Sequence, residues 1–491
     1  MKKNASLFNF RLLINGLLTA VGTAYFIWGP LAGGWFLALL GGTAVGLFSG
    51  WLSQQPSARH RLPLVHLLLV LGFAAAALIP LYRLNIILPA QNDRQANFER
   101  LWQAMDHYYP YFEQKGVDWA EVYGRYQPQV AQTTSDHEYW RLMAQMLAEL
   151  NDGHTGIVSP SPQSGLTYFG TARPFGDDIL VTAVSPAAHA AGLERCAVLL
   201  AVADRPVAEA LAAIPPFLTA SSTVHSQHAL AAAHLLSSRD DQLTVTFRDA
   251  NGVVQTITLQ QPAETAVPPA TTTTAVTPPP PIRSERLPSG IGLIHITTFS
   301  GREGQSLIDA FDAALDDLFD APGLIIDLRG NGGGDQRLAD QMARRFLAAP
   351  FTYGHEQYTG RLPQRGWLPG LTFRLTPRQP LYEGPLVLLI DEYNFSTAEQ
   401  FIVALRDSGR ATTVGRPTSG STGNPVSFEL TGGGLVRFST GDFRRSDGTP
   451  LEGYGLMPDR PVTLTVADCA GPDRDMETAV ALLQATGGPS Q

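Results

Sequence analysis

The chain has 491 residues, of which 44 % are apolar, so it can hold about two to four domains with real cores. A formal net charge of −9, with no Lys/Arg cluster, argues against a nucleic-acid partner. Its two cysteines, Cys196 and Cys469, form no CxxC, and no His/Cys spacing suits zinc, so no metal site is expected.

The first 90 residues contain three apolar runs without Asp, Glu, Lys or Arg, at 12–28, 31–52 and 62–82. Each is near the length that crosses a bilayer as a helix, whereas a cleaved signal peptide has a single short apolar region. Three transmembrane helices are therefore expected in residues 1–90. Lys2, Lys3 and Arg11 flank the first, and Arg59 and Arg61 lie between the second and third. By the positive-inside rule the N-terminus is cytoplasmic and everything after Arg83 is exported. In a bacterium this means a multi-pass inner-membrane protein in contact with lipid, with its main body in the periplasm or outside the cell. Gly42, Gly46 and Gly50 form a small-residue stripe that permits close helix packing, either within the chain or in a homo-oligomer. On the exported side a disulfide is permitted, but the spacing of the two cysteines gives no evidence of pairing.

Residues 91–160 read as a small helical unit, with apolar positions at helical spacing in Phe98-x-x-Leu101-Trp102-x-x-Met105 and Trp140-x-x-Met143-x-x-Met146-Leu147. The unit ends at the turn-rich string Asn151-Asp152-Gly153-His154-Thr155. Residues 165–261 follow as short strands with one helix, in an order that resembles a PDZ domain, a module that captures peptide ends at a sheet edge. Phe175-Gly176 sits where such domains place their carboxylate-binding loop, while the usual Gly-Asp after the helix is replaced by Arg195-Cys196. Residues 262–288 form a Pro/Thr-rich linker. From 289 to 468 strands and helices alternate, which predicts a layered α/β domain, and 469–491 read as a C-terminal helix and tail. The stretch between Ala349 and Glu383 shows no clear period and reads as a lid or an irregular insertion.

Three strings in this region, and the histidine upstream, carry chemistry. Ser396 follows the apolar run 385–390 and opens a helix, where free N–H groups and the helix dipole favour a developing negative charge. Ser396 and Glu399 also fit a plain capping box. The string Asp327-Leu328-Arg329-Gly330-Asn331-Gly332-Gly333-Gly334 can point backbone N–H groups at an oxyanion, or can simply turn. His154 is the base that a serine nucleophile needs, and Glu452, in a string of turn residues, can orient a base.

In this order the strings resemble the tail-specific, or C-terminal-processing, serine protease family, over roughly residues 97 to 465. The resemblance implies a ClpP/crotonase-like α/β catalytic domain and a protein or peptide substrate, with no cofactor. Its Ser-Lys branch is excluded, because no lysine follows Lys115 and Ser421 stands at the aligned position. The other branch, exemplified by the tricorn core protease, uses Ser, His, a second Ser and Glu. Carried over, these give Ser396 as nucleophile, His154 as base and Glu452 as carboxylate, with Thr397 and Gly334 as oxyanion donors and Gly333 as the substitute. The second serine would precede the histidine, where this chain has Gly153; a water, Asp152 or the Ser421 hydroxyl stands as its replacement. The implied activity is a membrane-anchored serine endopeptidase acting on exported proteins. The competing readings are a catalytically decayed, membrane-tethered peptide-binding scaffold and a crotonase-type acyl-transfer enzyme.

Overall fold

The computed structural model describes residues 94–160, 166–260, 280–301, 304–358 and 370–486. The three apolar runs and the Gly42, Gly46 and Gly50 stripe lie outside these residues, as does most of the Pro/Thr-rich linker. Among the described residues no helix is long and apolar enough to cross a membrane.

Three helices come first: α1 (Arg94–Tyr108), α2 (Trp119–Gln132) and α3 (Asp136–Ala148). Asp118 and Ser135 start α2 and α3 by accepting first-turn N–H groups that have no partner inside the helix. Phe98, Leu101, Trp119, Trp140, Met143 and Met146 meet in one core, as their spacing predicts. Leu430, Val436 and Phe438 complete this core from almost 300 residues away. They arrive because β1 (Gly156–Val158) pairs with a strand near the C-terminus, described below. The helical unit and the α/β domain are thereby stitched into one body, and His154, between α3 and β1, is carried to the face where Ser396 lies.

The middle unit is a six-stranded antiparallel sheet. Its main path runs β2 (Gly170–Phe175), β3 (Asp178–Val184), β4 (Val198–Val202), β5 (Gln242–Arg248) and β6 (Val254–Gln260), in that spatial order. The short strand Arg205–Pro206 pairs with β4. Helix α4 (Val224–His234) packs against the edge strand β2. This helix has no strong amphipathic pattern, since alanines line it on several sides, and sequence reasoning passed over it.

In the α/β domain the sheet order is β7 (Ile282–Arg286), β8 (Gly292–Ile296), β9 (Leu324–Asp327), β12 (Leu386–Ile390), β13 (Thr412–Gly415) and β17 (Arg460–Pro461), where the numbers left out belong to strands outside this sheet. Only the β7–β8 pair is antiparallel. Leu324, Ile326, Leu386, Leu388 and Ile390 face helices α5 (Gly304–Asp317), α6 (Gln336–Ala343) and α7 (Thr397–Asp407). The alternate residues Ile325, Val387, Leu389 and Val414 face Ala479 and Leu483 of α8 (Arg474–Thr486). Side chains alternate along a strand, so near-continuous apolar runs are what a sheet covered on both faces requires. The C-terminal helix is thus one layer of this domain.

The stretch between Ala349 and Glu383 is not wholly irregular: β10 (Phe351–Tyr358) pairs with β11 (Leu371–Leu375) and with β16 (Gly441–Arg445). Nearby, β1 pairs with β15 (Leu435–Phe438), which pairs with β14 (Val426–Glu429). Cys196 and Cys469 form a disulfide, with Cα atoms 5.6 Å apart, that ties the middle unit to the segment leading into α8.

Candidate active site

The Ser396 corner is built by β12 and its loop. Asn394 Oδ1 accepts the Asp391 N–H, and Asn394 Nδ2 donates to the Leu328 carbonyl, which fixes the turn after the strand. Ser396 follows with φ 60° and ψ −127°, a strained conformation that only a well-determined corner retains. Its N–H donates to the Ser421 carbonyl, and its Oγ lies 2.9 Å from His154 Nε2.

The hydroxyl therefore does not cap α7. Glu399 also departs from the capping-box expectation: its buried carboxylate accepts Thr418 Oγ1 and the N–H groups of Gly420 and Ser421. Burial pushes Glu399 up to about 7 against those donors. It holds the 418–421 loop behind Ser396.

His154 is presented by an Asx turn: Asp152 Oδ1 accepts the His154 N–H, and Asp152 Oδ2 accepts Thr155 Oγ1. The Phe395 ring lies over the imidazole at 4.2 Å between centroids. His154 is only 2 % exposed, and burial lowers its pKa to about 4, with Asp152 pulling upward and Arg437 further down. At neutral pH the ring is uncharged and able to accept a proton. With Nε2 facing the Ser396 hydroxyl, Nδ1 carries the hydrogen, and among the described residues Nδ1 has no hydrogen-bond partner.

Gly153 explains why the second serine is absent. A Cβ there would lie 2.5 Å from Phe395 Cε2 and 3.0 Å from Ser421 Oγ. The Phe395 ring and the Ser421 hydroxyl occupy the space that a serine side chain would need.

The glycine string lies against Ser396 and Thr397. A Cβ on Gly333, whose φ is +88°, would meet Phe395 O at 2.7 Å and Thr397 N at 2.9 Å, so only glycine allows this approach. The Gly333 N–H donates to Asn331 Oδ1, which leaves it committed. The N–H groups of Gly334 and Thr397 have no such partner among the described residues, and Thr397 Oγ1 bonds the Gly334 carbonyl at 2.9 Å.

Glu452 is fully buried but does not touch His154. Its Oε1 accepts Ser222 Oγ at 2.6 Å and pairs with Lys115 Nζ at 2.8 Å; its Oε2 accepts the Thr422 N–H. Burial, with Asp152 nearby, pushes Glu452 up to about 8, while Lys115 and Ser222 pull it back. The single lysine downstream of the N-terminal tip thus sits on Glu452, not on Ser396.

Phe175 and Gly176 lie where the middle unit meets the segment around Leu464 and Cys469. Gly176, with φ +62°, turns the β2–β3 hairpin, and Phe175 packs beside Cys469 and Leu180. The pair supports the disulfide-linked seam. Ser222 and Lys115 were missed in the sequence, where Ser222 reads only as one of several polar residues before α4.

Matches to known proteins follow the same outline. The model of peptidase family S41 matches residues 290–462, which contain Gly333, Gly334, Ser396, Thr397 and Glu452. The tricorn protease C1 domain model matches residues 90–148, ending just before the turn that carries His154. Residues 290–462 thus carry a peptidase family S41 domain. The chain is 26 % identical over 177 residues to the carboxy-terminal processing protease CtpA of Bacillus subtilis, covering 36 % of each chain. It is 26 % identical over 204 residues to a carboxyl-terminal-processing protease of Synechocystis, covering 40 % of this chain and 44 % of that one. The chain therefore spans less than half the length of these S41 relatives. The solved structure of mature CPAF shares the fold at 16 % identity, with a TM-score of 0.63 over 80 % of this chain and 96 % of that one.

A cavity of about 350 Å³ is lined by Ala144, Ala148, Thr155, Ile157, Phe217 and Leu218 among others, with Thr155 next in the chain to His154. It adjoins β1, the edge strand of its sheet, directly after His154.

Proposed function

We propose that this chain is a serine endopeptidase that hydrolyses peptide bonds of exported proteins or peptides, with Ser396 as nucleophile and His154 as base. The observation that carries the reading is the 2.9 Å contact between His154 Nε2 and Ser396 Oγ, made by an uncharged, buried imidazole. A decayed scaffold would have no reason to keep a strained serine on such a base.

His154 takes the hydroxyl proton from Ser396 as Ser396 attacks the peptide carbonyl, and the Gly334 and Thr397 N–H groups receive the oxyanion. The imidazolium then gives its proton to the leaving amine. Water, deprotonated by the same ring, releases the acyl group and restores the serine. The substrate backbone adds to the open edge of β1 and places an apolar side chain in the cavity lined by Ala144, Ala148 and Phe217, a mode that uses main-chain hydrogen bonds for affinity.

The middle unit is a PDZ-like module in this reading, supported by its antiparallel sheet with α4 against an edge strand. The catalytic domain has the ClpP/crotonase-like form, supported by its parallel sheet between two helical layers. Residues 1–90 anchor the protein in the bacterial inner membrane through three helices, N-terminus inside and catalytic domain outside. The Cys196–Cys469 disulfide supports an oxidising compartment for everything after Arg83.

The test is cleavage of an unfolded protein by the detergent-solubilised full chain, with products mapped by mass spectrometry. Fragments formed by the wild type and absent with Ser396→Ala support the reading; no Ser396-dependent fragment from any of a panel of unfolded substrates contradicts it.

A further inference from the structure

Behind His154 lies a hydrogen-bonded path made by three distant parts of the chain. Ser421 Oγ donates to Ser222 Oγ at 2.9 Å, and Ser222 Oγ donates to Glu452 Oε1 at 2.6 Å. Both hydroxyl protons point toward the carboxylate, so Ser421 Oγ keeps only acceptor capacity on its other side. That side faces Gly153: Ser421 Oγ is 3.0 Å from where the Cβ of residue 153 would stand. Next along the chain is His154, whose buried Nδ1–H lacks an acceptor. Such an orphan donor is costly when the ring is neutral and more so once it is charged.

Ser222 is not part of the α/β domain. It belongs to the middle unit, just before α4, and the segment is fastened to the loop that carries Ser421. Thr223 Oγ1 donates to the Ser419 carbonyl at 3.0 Å, His225 Nε2 lies 2.7 Å from the Thr418 carbonyl, and Tyr393 Oη donates to the Ala229 carbonyl.

We propose that Ser222 is a positioning residue supplied by the middle unit, which joins Glu452 to Ser421 so that Ser421 accepts the His154 Nδ1–H as the ring becomes charged. The inference rests on the serine-peptidase reading above. No proton leaves the path: His154 gains one at Nε2 from Ser396, and Nδ1–H, Ser421 Oγ–H and Ser222 Oγ–H each keep theirs while pointing one step toward the Glu452 carboxylate. The second serine of the tricorn-like arrangement is thereby replaced by two hydroxyls, one from each unit. Catalytic competence depends on the middle unit being docked.

Lys115, Asp152, Tyr109 and Tyr111 face Glu452, and Asp152 and Arg437 face His154. Because burial holds Glu452 up to about 8, the path gains its full anion only as pH rises through that value, well above the His154 transition near 4.

The test is the pH profile of kcat/KM for the full chain with a peptide that it cleaves, for wild type, Ser222→Ala, Ser222→Thr and Thr223→Val. The wild type is expected to show a rise through about pH 8. Ser222→Ala loses that rise and loses roughly tenfold in kcat with KM unchanged, Ser222→Thr restores both, and Thr223→Val, which removes the bond to the Ser419 carbonyl and the contact with His225 but leaves both path hydroxyls in place, keeps the wild-type profile shape. A wild-type profile flat through that range overturns the inference without any variant. So does Ser222→Ala keeping the rise, or Ser222→Thr failing to restore it when both fold with wild-type Tm. Covalent labelling of Ser396 by a fluorophosphonate separates the two readings: no labelling sinks the peptidase reading itself, whereas labelling with an unaltered profile in Ser222→Ala sinks only this inference.

Discussion

The two sides of His154 are built differently. On the Ser396 side every group comes from a short local string, the contacts are direct, and each backbone oddity, such as positive φ at Ser396 and Gly333, serves the approach of one string to another. On the Glu452 side the groups come from residues 115, 222, 421 and 452, drawn from three units, and hydroxyls take the place of a direct carboxylate contact. The difference separates a face set by short local strings from a support that the packing of three units brings together.

The comparison breaks most sharply at the reacting face. Ser396→Ala and His154→Ala should each lower kcat/KM by roughly 10³-fold or more, because the nucleophile and base act as a unit; retained turnover in either would contradict the assignment. Gly333→Ala should follow, with roughly a 10²-fold loss. Its Cβ would collide with Phe395 O and Thr397 N and displace the oxyanion donors, and the drop should appear in kcat and in Tm together.

On the supporting side, restoring the family serine should hurt. Gly153→Ser forces a side chain against the Phe395 ring, so it should cost about 1–3 kcal/mol in thermal or urea unfolding and lower activity instead of raising it. A gain in activity would show that the Ser222–Ser421 path is a poorer substitute than its geometry implies.

How much of this could be read in the sequence follows the same division. Ser396, His154 and the Gly333-Gly334 string announce themselves because strand, turn and helix start are local patterns, and the sheet strands around 324–328 and 386–390 are unbroken apolar runs. Glu452 can be singled out from its string, but its partners Ser222, Lys115 and Thr422 cannot. Nothing near Lys115 or Ser222 marks them, since their meaning arises only when β1 pairs with β15 and α4 docks on the 418–421 loop. The disulfide was equally silent, as a loop of 273 residues carries no spacing signal.

Two smaller effects sharpen the picture. His154 is held near 4 against an ordinary 6.5, so the acid limb of kcat/KM should lie near pH 4. The sign follows for stability as well: the neutral buried ring contributes stability above about 6.5, lost as pH falls toward about 4, which acid unfolding of wild type against His154→Phe can read. Smallest on activity, Cys196→Ser should leave turnover nearly unchanged while lowering stability by about 2–4 kcal/mol; equal Tm values with and without reductant would show that the bond is not formed.

The most direct measurement is covalent labelling of the solubilised full-length protein by a fluorophosphonate, with the modified residue located by mass spectrometry. The account predicts a single adduct on Ser396, lost in Ser396→Ala and slowed by at least a hundredfold, or ~10², in His154→Ala. An adduct on another serine, or labelling of Ser396 at the same rate without His154, would contradict it.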